Sequence, residues 1–178
     1  MNNLSAKDMT IAALSTALMC ILGPLTIPIG PVPVTLINFI ICLTVIVIGT
    51  RSATISVAVY LLIGLMGLPV FSGFSGGFTK LAGPTGGYLI GYLFIPLIGG
   101  IFIKFFKERF VLTTLGMIVA TMVLYTFGTL WFMFMMKCGL IYALTICVLP
   151  FIPFDIIKII LAVFTGNAIK KALNSQRF

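Results

Sequence analysis

Apolar residues run together in this chain, and polar residues fall between the runs rather than alternating with them. The runs cover about 9–23, 34–49, 53–68, 86–103, 111–136 and 150–169, each bounded by glycine, proline or charge. Stretches near 20 apolar residues match a hydrocarbon core about 30 Å thick. The pattern predicts an all-α membrane protein: a six-transmembrane-helix bundle forming a single membrane-embedded domain over residues 1–178. The second and third runs are short for a bilayer, which predicts tilting or local thinning. From Lys137 to Lys170, one straight helix would extend roughly 50 Å, too long for the core. Pro150 and Pro153 supply a break, so a short outer helix over 139–149 followed by a span from Pro150 is expected.

Positive charges orient the bundle. Lys7, Arg51, Lys104, Lys107, Arg109, Lys170, Lys171 and Arg177 share one side of a six-span arrangement, and Lys80 and Lys137 take the other. By the positive-inside rule both termini are expected in the cytoplasm. An odd number of spans would split the terminal clusters across the membrane.

Composition agrees with the patterning and narrows the function. The 178 residues are 61% hydrophobic and 8% charged, far from the quarter or so that is charged in soluble domains. The first apolar run lacks a small-residue cleavage pattern and is expected to be a retained span. The net charge of +8 sits between spans, so it reads as attraction to anionic lipid rather than to nucleic acid. Cys20, Cys42, Cys138 and Cys147 form no C-x-x-C pair and histidine is absent. That argues against a zinc site and a histidine base. No G-x-x-x-x-G-K-[ST] loop occurs, so the chain carries no Walker A means of hydrolysing ATP.

Asp155 and Lys158 change the picture, because they interrupt the apolar run 151–164. Each costs roughly 2.5–3.5 kcal/mol at the centre of a membrane helix on insertion scales. Spaced i, i+3, they share a helix face and can pair. Such residues read as a binding or transport site facing the protein interior; the plainer alternative is an ion pair that locks two helices together. An ionised Asp155 accepts hydrogen bonds and Lys158 donates them. A small, mostly apolar solute with an amide-like head and one anionic group fits best.

Two connections face the same side. The first, 23–33, holds four prolines and two glycines, which forbids a helix. It reads either as an apolar lid in the bundle mouth or as a buried turn. The second, 68–88, holds six glycines, two prolines, three phenylalanines and Lys80. Glycine allows close backbone approach to a ligand, Ser72, Ser75, Thr79 and Thr85 add hydroxyls, and the rings supply apolar walls. The connection proper, 69–85, is about 17 residues, long for an idle connector, so a binding loop is expected. Lys80 reads either as a partner for a ligand carboxylate or as a solvated rim lysine. On the first helix, Ala13 and Ala17 form a small-xxx-small pair suited to close helix contact, within the chain or with another subunit.

Pro31-Val-Pro-Val-Thr35, Gly67-Leu-Pro-Val-Phe71, Ser75-Gly-Gly77, Gly83-Pro-Thr-Gly-Gly-Tyr-Leu-Ile-Gly91 and Ile152-Pro-Phe-Asp-Ile-Ile-Lys158 occur in that order. Together they resemble the BioY family, the biotin-specific substrate-binding (S) components of energy-coupling factor (ECF) transporters. The likeness runs from about Ala12 to Lys171. It implies a six-helix bundle in a bacterial cytoplasmic membrane, with a biotin pocket near the outer face. The implied partners are a membrane coupling subunit and two cytoplasmic ATPase subunits, which would use the ATP; no cofactor is implied. The family's aspartate and lysine fall on Asp155 and Lys158, and its small-residue loop falls on Ser75, Gly76 and Gly77. The ureido ring would lie near Asp155 and Ser75, and the thioether ring on a wall of Phe71, Phe74 and Tyr88. Ala13 and Ala17 would meet the coupling subunit. Where many members carry Gln, this chain has Ile37, beside Asn38, which joins the candidate set. Where some carry Arg it has Leu89, so Lys80 and Lys158 compete for the biotin carboxylate. Other readings are an S component for another vitamin, an ion-coupled carrier using Asp155, and an intramembrane enzyme, the last lacking a nucleophile–base pair.

Overall fold

The computed structural model describes residues 6–27, 32–106 and 109–175. Residues 28–31 of the proline-rich connection lie outside them, as do Lys107, Arg177 and the side chain of Lys7 from the cationic tally. Helix α1 spans Ala6–Leu22 and stops at Gly23-Pro24. Strands β1 (Thr26–Ile27) and β2 (Val34–Thr35) pair antiparallel, Thr26 opposite Thr35 and Ile27 opposite Val34. The proline-rich connection is thus pinned as a hairpin. Its returning arm is inward, with Val32 and Val34 buried, while Leu25 and Ile27 face outward.

Helix α2 covers Ile37–Leu65 but is interrupted at Gly49, whose φ of 80° and ψ of 173° are not helical. Glycine takes a positive φ without the Cβ clash other residues suffer. The two limbs fold back on each other. A Cβ built on Gly23 would lie 2.9 Å from Ile37 Cδ1 and 2.6 Å from the Val70 carbonyl, so the start of α2 and the loop just past its end meet at the end of α1. A straight helix would hold them about 40 Å apart. The runs expected at 34–49 and 53–68 are therefore these limbs, and the turn between them falls at Gly49.

Hydroxyls fasten α1 to the second limb. Thr16 Oγ1 donates to the carbonyls of Ala12 (3.0 Å) and Ser56 (3.2 Å), and Ser56 Oγ donates to those of Ala12 (3.1 Å) and Ser52 (3.0 Å). Small hydroxyl residues permit close approach and leave no polar atom facing lipid.

After α2, Phe71 and Ser75 bridge across a tight turn, and α3 (Phe78–Leu81) is one turn long. The next span is a composite. Helix α4 (Gly86–Gly91) passes through a π-helical segment (Ile95–Gly99) into α5 (Gly100–Phe105). Pro96 has no N–H to give the preceding turn, and the widened winding absorbs that loss. Helix α6 is long and unbroken, Phe110–Met136. Glycines bring the composite span against it: a Cβ on Gly116 would sit 2.3 Å from Phe102, and one on Gly128 2.3 Å from Tyr88.

Lys137 ends α6 in the left-handed conformation, α7 covers Leu140–Cys147, and α8 covers Ile152–Ser175. Proline at the second position of α8 is tolerated because first-turn N–H groups lack helical partners anyway. The break expected at Pro150 is present, although α8 runs past the expected end at Ile169. Among the described residues, four helical stretches are long and apolar enough to cross a membrane: Ile37–Leu65 when taken end to end across its Gly49 break, Gly86–Phe105, Phe110–Met136 and Ile152–Leu173. A shorter apolar helix, Met9–Leu22, lies within α1. The chain is an all-helical integral membrane protein, apart from a hairpin of two two-residue strands.

Candidate functional site

Asp155 lies in the first turn of α8 and is 7% exposed. Its Oδ1 accepts from Lys158 Nζ at 2.9 Å, one helical turn on, as the i, i+3 spacing requires. Its Oδ2 accepts from Tyr125 Oη on α6 at 2.5 Å. Lys158 Nζ also donates to the Thr35 carbonyl at 2.8 Å, and Thr35 Oγ1 and Tyr92 Oη are 3.3 Å apart. The pair therefore joins α8, α6, the hairpin and the residue that follows α4. Pairing and hydrogen bonding offset much of the desolvation cost of two charges in an apolar bundle.

The pair is not saturated. A carboxylate has about four lone-pair sites and an ammonium three donors. Two acceptor sites and one donor are left over after the bonds above are counted. On α2, Asn38 Nδ2 is buried without a hydrogen-bond partner among the described residues. Its Oδ1 takes only a weak 3.6 Å bond from Cys42 Sγ, and Cys42 lies within electrostatic range of both Asp155 and Lys158. A buried orphan donor is rare enough to call for a partner of its own.

Two cavities bear on the pair, one reaching Asp155 itself and the other reaching Thr35, whose carbonyl Lys158 holds. A mouth cavity of about 30 Å³ lies between the hairpin, the glycine-rich loop and α4, lined by Thr35, Tyr60, Ser72, Thr85, Tyr88 and Tyr92 among others. Its volume is that of about one water molecule. A larger groove of about 450 Å³ runs between α6, α7 and α8 and includes Asp155 and Tyr125. Size alone favours the groove, yet Met122, Leu130 and Ile156 on its lining are exposed, so it opens on the outer flank of the bundle. Hydroxyl groups of Thr35, Tyr60, Ser72, Thr85, Tyr88 and Tyr92 line the mouth, whereas Asp155 and Tyr125 line the groove; Lys158, through the Thr35 carbonyl, links the two.

The remaining sequence candidates divide. Tyr88 is buried on α4, lines the mouth, and its hydroxyl lies 3.0 Å from Thr129 Oγ1. Ser75 is half-buried and donates to the Ser72 carbonyl at 2.7 Å, within its own turn. Gly76 fits where a Cβ would strike the Leu68 carbonyl at 2.2 Å. Gly77, at φ 85°, donates its N–H to Gly64 at 2.7 Å. Phe71 is not at the mouth: it is fully buried edge-on to Tyr60, ring centroids 5.5 Å apart, over the space Gly64 leaves. Phe74 has a positive φ and is 67% exposed, so the expected aromatic wall reduces to Tyr88 in this arrangement. Lys80 is half-buried on α3. Ala13 and Ala17 face outward on α1 and line a 440 Å³ groove with Ser52, Ser56 and Val59.

Sequence reasoning missed Tyr125 and Tyr92 and gave Thr35 no role beyond its motif. A signal existed for Tyr125. Membrane tyrosines gather at the two interfaces, whereas this one sits well inside a 27-residue span.

A helical membrane bundle that holds a buried, unsaturated charge pair, linked through Thr35 to a small hydroxyl-lined cavity, is the architecture of a solute-binding membrane component. Comparison with known proteins specifies the class. The model of the BioY family matches residues 1–175, and the chain belongs to that family. It is 38% identical to the biotin transporter BioY of Lactococcus lactis subsp. cremoris, over 96% of this chain and 94% of that one. It is 36% identical to the biotin transporter BioY of Thermotoga maritima, over 93% and 96%. The crystal structure of the S-component for biotin from an ECF-type ABC transporter superposes with a TM-score of 0.87 at 36% identity, covering 96% of this chain and 94% of that one.

Proposed function

We propose that this chain is the biotin-binding S component of an ECF-type, ATP-driven importer, and that it captures biotin at the mouth of the bundle. It is a transport component, not an enzyme. The observation that carries this reading is the unspent hydrogen-bonding capacity around Asp155 and Lys158. A cyclic urea offers two N–H donors and one carbonyl. Asp155 has two acceptor sites to receive the donors, and Lys158 and Asn38 Nδ2 have donors for the carbonyl.

The bicyclic body would lie between the hairpin and the glycine-rich loop, against Tyr88, with Ser75, Gly76 and Gly77 supplying backbone at close range and Phe71 and Phe74 available if the loop repacks. A drug-sized solute needs a few hundred Å³, so entry requires the hairpin and loop to part. Lys158 is engaged twice already, which favours Lys80 for the valerate carboxylate.

The doubling back of α2 at Gly49 supports six spans in one domain, and the cationic bias supports cytoplasmic termini. Ala13 and Ala17 would dock the membrane coupling subunit, which with two cytoplasmic ATPase subunits would drive uptake across a bacterial cytoplasmic membrane. The purified chain in detergent should retain radiolabelled biotin in equilibrium dialysis without ATP. An analogue lacking the ureido ring should fail to compete. No retention of biotin, or equal competition by that analogue, overturns the assignment.

A further inference from the structure

The segment Gly83-Pro-Thr-Gly-Gly-Tyr88 brings two residues to the mouth, Thr85 and Tyr88. It has little means of holding itself in place. Gly83, Gly86 and Gly87 offer no side chains to pack, and glycine leaves many backbone conformations open. Thr85 stands just before α4, yet its hydroxyl caps no helix N–H and stays available to the mouth. What fixes the segment comes from α6. The Tyr88 ring lies over Gly128, and its hydroxyl is 3.0 Å from Thr129 Oγ1. One turn on from Gly128, Trp131 Nε1 donates to the Gly83 carbonyl at 3.0 Å. The same carbonyl accepts the Gly86 N–H at 3.0 Å, so both of its lone pairs are engaged. A Cβ on Gly87 would lie 2.3 Å from Trp131 Cβ, which seats the backbone of the segment on the root of that side chain. Trp131 is the only tryptophan in the sequence and is not among the residues lining the mouth. Tryptophans of the interfacial belt turn their polar edge to water and headgroups, whereas this one turns its N–H inward to a backbone carbonyl.

We propose that Trp131 is a positioning residue for solute capture. Through its bond to Gly83 and its contact with Gly87 it holds Thr85 and Tyr88 in the attitude that meets the ligand, without touching the ligand itself. This role presupposes biotin capture at the mouth. With the bond in place, the glycine-rich segment is ordered before the solute arrives. Without it, biotin must order the segment on binding, and that cost comes out of affinity.

The test is isothermal titration of the purified full chain with biotin. Trp131→Phe should weaken binding about tenfold, but it also alters the packing on Gly87. Benzothienylalanine at position 131 keeps the indole shape and puts sulfur where the N–H was. It should weaken binding about fivefold, the equivalent of one neutral hydrogen bond. Fluorotryptophan, which keeps the N–H, should restore wild-type affinity. Because the chain has a single tryptophan, isotope-labelled indole gives one N–H resonance, and saturating biotin should shift it although the side chain lies outside the mouth. Wild-type affinity in the sulfur isostere, an equal loss in the fluorotryptophan protein, or a resonance that biotin leaves in place would overturn the role. If wild type retains no biotin, the capture assignment fails by itself, and the bond is judged on the ligand-free chain. There the isostere should speed amide hydrogen exchange over 83–88 about fivefold, and unchanged exchange overturns the positioning role.

Discussion

The charge pair on α8 works through what surrounds it. Lys158 closes on Asp155 from the same helix, but Tyr125 and the Thr35 carbonyl come from elsewhere in the fold. Asp155→Asn removes the charge and two acceptor sites while keeping the shape, and should weaken biotin binding at least about 100-fold by isothermal titration, since hydrogen bonds to charged groups contribute roughly 1.5–3 kcal/mol each. Tyr125→Phe deletes a bond that holds the carboxylate without touching the ligand. It should cost about tenfold in affinity and lower the thermal midpoint without biotin, because Asp155 loses a partner it has before binding. If Tyr125→Phe changes neither quantity, the tyrosine does not position the carboxylate. The i, i+3 pair could be read from the chain because both members lie in one local stretch. Tyr125 and Thr35 could not, since they reach Asp155 and Lys158 only when α6 and the hairpin pack on α8.

Among the elements, the apolar runs told most. Each run in the sequence has a helical counterpart, and the breaks at Gly49 and Pro150 fall where glycine and proline announce them. The inside of the composite span was not foreseen. Pro96 gave the hint, but a switch to π winding depends on how the freed carbonyls find partners, which is a tertiary matter. The fate of Phe71 was equally hidden. Nothing local says that a phenylalanine in a glycine-rich loop will turn inward onto Gly64 and Tyr60. Helix contacts made through glycine give a sharp test. Gly128→Val would place Cβ 2.3 Å from the Tyr88 ring and should separate α4 from α6. The expected loss is about 1–3 kcal/mol of stability, read as a lower thermal midpoint in detergent, with weaker biotin binding because Tyr88 lines the mouth. Gly139→Ala, with open space around it, should change neither.

At the scale of the molecule, two surfaces divide the labour proposed for it: the mouth for solute and the α1 groove for a partner. Bulky replacement at Ala13 or Ala17, such as Ala13→Trp, fills the α1 groove far from Asp155. In cells carrying the complete importer it should abolish uptake of labelled biotin while leaving the purified chain's affinity unchanged within about twofold. Uptake that persists removes α1 as the docking helix. The doubling back of α2 has a consequence for biogenesis. On the proposed six-span reading, its limbs, 37–48 and 50–65, reach only roughly 18 and 24 Å, less than the oily layer each would traverse. Neither strip is long enough to be threaded and released alone by an insertion machine. On that reading the two enter lipid as a pre-bent unit, with Arg51 beside the elbow anchoring it at the membrane face.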